Sequence, residues 1–241
     1  MKGQFLPSCQ KFVAPPTWGY IFMKSKLLRI FLASLLITVV IPTSRANAAC
    51  SISAHCYGEE STHVQVIDGI LAKITPSCIG VPAGNFATDE IWLASQDFAY
   101  WVEVGYIMNF ATINGLSQGL LGFWYDSRPG HTQAEHVMLT NPPLIERQAE
   151  IRKSATNTYL VALGGAANKT STDNSMTPYW GNIGSEITSS AGVSYSNFSR
   201  MEYHENGSWS TELFAPTATV NAPQTQSWIT LTSAMNAGVP C

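Results

Sequence analysis

The sequence predicts an all-β protein, an antiparallel β-sandwich or jelly roll, from three observations. Short apolar runs rich in aromatic and β-branched residues recur along the chain, and clusters of Gly, Pro, Asn and Ser separate them. No long stretch repeats apolar residues with a 3.6-residue period. In order, the runs predict strands at His63–Ile67, Glu90–Ala94, Tyr100–Phe110, Leu120–Asp126, Ala134–Thr140, Glu146–Lys153, Asn157–Leu163, Asn182–Thr188 and Phe198–Glu205. Turn signals fall between them: Pro82-Ala83-Gly84-Asn85, Asn114-Gly115, Arg128-Pro129-Gly130, Asn141-Pro142-Pro143, Gly164-Gly165 and Asn206-Gly207. The Ser/Thr/Asn-rich stretch Asn168–Thr177 reads as a long surface loop. Neither a repeat nor a parallel βαβ unit is present, so residues 49–241 are expected to form one sandwich domain.

The N-terminal part differs in charge and patterning. Residues 1–49 carry six Lys/Arg and no acid, whereas Cys50 onward carries seven Lys/Arg against 16 Asp/Glu. The apolar run Ile30–Ile41 follows Lys24, Lys26 and Arg29 and leads to Ala46-Asn47-Ala48, the pattern of a secretory signal peptide. It is well short of the ~20 residues of a membrane span, so no stable membrane anchor is expected. Met23 opens that pattern and is the expected start of translation, which makes residues 1–48 an N-terminal extension plus leader. The acidic remainder argues against a nucleic-acid partner, because phosphate binding needs clustered bases.

Loss of the leader removes Cys9 and leaves Cys50, Cys56, Cys78 and Cys241, an even number that predicts two disulfides in an exported chain. Sequence alone leaves three pairings open; the working expectation is Cys56 with Cys241 and Cys50 with Cys78. No CxxC pair occurs and the five His are scattered, so no metal and no cofactor is expected.

The chemistry centres on two glutamates. In the strand Tyr100-Trp101-Val102-Glu103-Val104-Gly105-Tyr106, alternation places Trp101, Glu103, Gly105 and Ile107 on one face and Tyr100, Val102, Val104 and Tyr106 on the other. Glu103 is thus a carboxylate within a hydrophobic strand, with Trp101 as a stacking wall and Gly105 leaving room for close approach. Glu186, in Gly184-Ser185-Glu186-Ile187, is a second strand carboxylate with small neighbours. Each taken alone is equally an ordinary solvated strand Glu. Two that converge on one sheet supply paired carboxyls for acid–base hydrolysis, one protonated while the other stays ionised.

Glu103-Val104-Gly105-Tyr106 resembles the (Gln/Glu)-x-Gly-(aromatic or aliphatic) strand of the glutamic peptidases, in both the eqolisin and neprosin groups. Gly184-Ser185-Glu186-Ile187 is similar to their later strand with a catalytic Glu, and Gly122-Phe123-Trp124-Tyr125-Asp126-Ser127-Arg128-Pro129-Gly130 resembles the Trp-Tyr strand and turn beside their cleft. The resemblance spans about Glu90 to Trp209. It implies a concanavalin-like β-sandwich and a secreted, acid-active endopeptidase. Glu186 would be the general base on water and protonated Glu103 would polarise the scissile carbonyl. Trp101, Gly105, Trp124 and Tyr125 would line the polypeptide-binding cleft.

Two other functions use the same ingredients. Sandwich glycoside hydrolases place two Glu on a concave face lined by Trp, which makes polysaccharide the alternative substrate. A lectin-like binding module would keep the fold without the chemistry. A Ser-His-Asp hydrolase is disfavoured by the lack of a Gly-x-Ser-x-Gly elbow.

Overall fold

A computed structural model describes residues 50, 55–61, 67–109, 118–128, 135–155, 158–166, 169–172, 176–211, 219–230 and 234–241. All described residues lie in the unit Arg45–Cys241. The expected signal peptide, the Asn114-Gly115 turn and all but Ile67 of the strand expected at His63–Ile67 lie outside the described residues.

The described residues form strands without helices: β1 (Cys56–Ser61), β2 (Gly69–Gly80), β3 (Phe86–Ala94), β4 (Trp101–Asn109), β5 (Gly119–Asp126), β6 (Glu135–Thr140), β7 (Arg147–Ala155), β8 (Thr158–Leu163), β9 (Lys169–Thr172), β10 (Trp180–Ile187), β11 (Val193–Glu205), β12 (Ser208–Ser210), β13 (Thr219–Val220), β14 (Thr225–Thr230) and β15 (Ala234–Val239). They make a seven-stranded sheet ordered β13-β1-β10-β3-β4-β5-β6 and an eight-stranded sheet ordered β14-β15-β11-β2-β7-β8-β9, with β12 added to β11. All pairings are antiparallel. This is the expected β-sandwich.

Period-two alternation builds the layer between the sheets. Val102, Val104 and Tyr106 of β4 point inward and meet Tyr159, Val161 and Leu163 of β8 in one buried cluster. Each such side chain stabilises the sandwich by roughly 1.5–3 kcal/mol. β4, β5 and β8 lie where strands were expected at Tyr100–Phe110, Leu120–Asp126 and Asn157–Leu163.

Three expectations are corrected. β2 was not among the expected strands; its Pro76 sits beside a register shift opposite Tyr195 and Ser196, where the pairing tolerates it. The loop expected over Asn168–Thr177 contains an edge strand, β9, paired with β8. The disulfides join Cys50 to Cys56 and Cys78 to Cys241, with Cα atoms 5.3 and 6.1 Å apart, in place of the pairing expected. Register explains the change. Cys78 pairs with Tyr195, and Tyr195 with Gly238, so the end of the chain is delivered two strands from Cys78. Cys56 belongs to the other sheet, opposite Ile187.

Candidate active site

The face of the seven-stranded sheet turned away from the second sheet carries an array of glutamates. Its rows follow from register. Glu59, Gly184, Glu90, Gly105 and Phe123 lie side by side across β1, β10, β3, β4 and β5. Two residues along in one direction come Ser61, Asn182, Trp92, Glu103 and Tyr125; two in the other come Tyr57, Glu186, Thr88, Ile107 and Leu121. Residues paired across strands, and residues two apart along one, share a face. Glu59, Glu90, Glu103 and Glu186 therefore all project from the same side.

Both sequence-derived glutamates are on this face, but they are not adjacent. β3 lies between their strands, and they stand two rows apart, an offset of roughly 10 Å across and 13 Å along the sheet at ordinary strand spacings. Glu90 fills the diagonal between them. It is buried, its Oε1 accepts from the Thr88 hydroxyl at 2.8 Å, and its Oε2 makes no hydrogen bond among the described residues. Burial first, then the charges of Glu103 and Glu186, push the Glu90 carboxyl well above the usual carboxylate range. Burial and the charge of Glu186 likewise push Glu59 up to about 8. Both carboxyls are protonated in acid.

Glu103 accepts a hydrogen bond from Trp101 Nε1 at 2.7 Å, from the neighbour two residues back on its own strand. Trp101 packs with Tyr125 and Phe123 in a small apolar cluster that fixes this end of the face. Glu186 is buried, and its Oε1 is in ion-pair contact with His55 Nδ1. The Tyr57 ring lies 6.1 Å from Trp92. Burial and the charges of Glu186, Glu90, Glu59 and Glu103 all raise its phenol, so Tyr57 stays a hydrogen-bond donor amid the carboxyls.

Two of the expected cleft residues sit differently. Trp124 is opposite Val104 and points into the inter-sheet core, 5 % exposed, with His136 stacked on its ring at 4.1 Å. It lies one residue out of phase with Tyr125, which does face the glutamates. Gly105 does not open space for a ligand. A Cβ there would stand 2.2 Å from the Asp89 carbonyl oxygen and 2.6 Å from Glu90 Cα, so the glycine admits the neighbouring strand. Gly184 does the same beside Glu59, where a Cβ would fall 2.3 Å from the Gly58 carbonyl oxygen.

His55, Tyr57, Glu59 and Glu90 were missed by the sequence argument. The signal for Glu90 was present: Glu90-Ile91-Trp92 repeats the pattern of a carboxylate beside a same-face Trp that singled out Glu103. His55 and Tyr57 reach the site through long-range pairing of β1 with β10, which local patterning does not show.

No protein-family model matches the chain, and no curated protein is significantly similar to it in sequence. Solved structures do share its fold. Scytalido-glutamic peptidase with a peptide-based transition-state analogue is similar with a TM-score of 0.57 at 9% identity, over 77% of this chain and 98% of that one. SCP-B, an eqolisin-family peptidase in complex with the tripeptide Ala-Ile-His, is similar with a TM-score of 0.50 at 8% identity over the same shares. The chain thus has the β-sandwich fold of the eqolisin peptidases.

Proposed function

We propose that the chain is a secreted glutamic-peptidase-like hydrolase that cuts peptide bonds in acid. The observation that carries this is the placement of Glu103 and Glu186 on one face with the protonated Glu90 on the diagonal between them. In this reading the attacking water and the scissile carbonyl lie over Glu90, between the strands that carry the two outer carboxyls. Glu186 takes the proton of the attacking water, and Glu103, protonated, donates a hydrogen bond to the developing oxyanion. Glu90, uncharged in the floor, keeps a third negative charge away from that oxyanion.

The fold shared with structures holding a transition-state analogue and a tripeptide supports a polypeptide substrate. Two disulfides, the apolar leader and the acidic, Lys-poor body support export to an acidic medium. The test is digestion of a denatured protein at about pH 3–5 by wild type, Glu103→Gln and Glu186→Gln, with each variant's melting curve as control. Cleavage should fall at least ~100-fold in Glu186→Gln, as expected for loss of a general base. Equal cleavage by Glu186→Gln at unchanged stability would remove the mechanism.

A second reading has its own observation. Phe98, 49 % exposed, stacks on Trp180, and Tyr179 packs edge-on against the same ring, at the end of the face beyond Trp101. Such platforms bind sugars, so release of reducing ends from polysaccharides without proteolysis would favour a glycoside hydrolase.

A further inference from the structure

Four glutamates on one face raise a question that the fold alone does not answer: which of them carries the negative charge in acid. Like charges this close suppress each other's ionisation, and burial suppresses it further. A carboxyl that must act as a base in such company needs a cation of its own.

His55 occupies that position. Its Nδ1 contacts Glu186 Oε1, and the Tyr57 hydroxyl lies 3.5 Å from the same nitrogen. The Phe86 ring stands edge-on to the imidazole with centroids 5.5 Å apart, which restricts the ring from the β3 side. The backbone is held as well. His55 lies within the ring closed by the Cys50–Cys56 disulfide and directly precedes Cys56, which opens β1.

The other ion pairs among the described residues lie elsewhere. Arg128 is buried on the inward side with Asp126, Lys73, Arg152 and Arg200 of the second sheet pair with Glu146, Glu150 and Glu202, and His204 of β11 pairs with Asp68. The charges acting on Tyr57, beside His55, are those of Glu186, Glu90, Glu59 and Glu103, all acidic.

We infer that His55 is the counter-ion that keeps Glu186 ionised in acid. This makes it a positioning residue for the hydrolysis, and the inference rests on the peptidase function proposed above. In acid the imidazolium holds the charge on Glu186. Toward neutral pH a carboxyl ionises without such help, so the contribution of the cation fades there.

The test is the pH dependence of kcat/KM on an uncharged, internally quenched peptide for wild type, His55→Gln and His55→Lys. His55→Gln should lose ~10-fold near pH 4, the equivalent of one pKa unit, and come within about twofold of wild type near pH 7. His55→Lys should recover most of the loss in acid. A loss of the same size at every pH, or no loss, overturns the inference. A second measurement does not depend on turnover: the NMR titration midpoint of the His55 ring should fall by about one unit in Glu186→Gln. An unmoved midpoint overturns the ion pair whatever the activity. A moved midpoint in a protein that cleaves no peptide leaves the pair standing and rejects the peptidase function instead.

Discussion

Asp89 and Glu90 are consecutive residues of one strand with opposite surroundings, and the two faces of the seven-stranded sheet differ in the same way. On the inward face Asp89 Oδ1 accepts from the Ser185 and Ser194 hydroxyls, both at 2.8 Å. Asp126 on that face holds Arg128 through two oxygens at 2.8 and 2.7 Å, and Glu60 accepts from Gln226 at 2.8 Å. On the outward face the acids also act against one another: burial and then Glu186 raise Glu59, and burial and then Glu103 and Glu186 raise Glu90. The inward acids are tied to donors and an arginine, whereas the outward acids, although each of Glu90, Glu103 and Glu186 has one partner, also repel one another. Such repulsion costs stability and so points to chemistry.

The largest expected effect is on how the two faces are joined. Gly105→Ala would drive a Cβ to 2.2 Å from a backbone oxygen of β3, with no flexible side chain to give way. It should cost more than ~4 kcal/mol, or prevent folding, as read by urea denaturation. Next is Asp126→Ala, which leaves the Arg128 guanidinium buried without its carboxylate. Loss of one partner from such a pair costs about 3–5 kcal/mol, and chemical unfolding would show it.

A smaller effect separates the faces by pH. Asp89 is raised to about 6 by burial and Glu59 to about 8, both above their ordinary values. Groups raised in the folded state favour folding fully below their unfolded pKa, and that contribution is lost as pH climbs through the folded value. Melting temperature should therefore fall between about pH 4 and 8, and Glu59→Gln should flatten the upper part of the slope. A melting temperature that rises across this window would contradict the burial assigned to these acids. Smallest is Trp101→Phe, which removes the Nε1 hydrogen bond to Glu103 and should lower kcat a few-fold while melting changes by the ~1 kcal/mol of one hydrogen bond.

Much of this was legible in the chain itself. Alternation in Trp101–Ile107 separated the face of Glu103 from the face of Val102, Val104 and Tyr106, because a strand reports its two sides directly. The order of strands was not legible. Glu90 came between Glu103 and Glu186 only because β10 pairs with β3 and β3 with β4, and His55 reached Glu186 through β1. Trp124 was placed on the wrong side by a motif read without its phase. The cysteine pairing depended on Cys78 and Gly238 lying on either side of β11. Sandwich topology sets such contacts across long separations, and composition carries no trace of them.

The most direct test of the difference between the faces is kcat/KM at pH 4 for Glu186→Gln beside Asp89→Ala. Glu186→Gln should lose at least ~100-fold with its melting temperature kept, as for a missing base, while Asp89→Ala should melt earlier yet stay within a few-fold of wild type in its folded range. Full activity in Glu186→Gln, or no peptide cleavage by the wild-type protein, would contradict the assignment of the outward face as an active site.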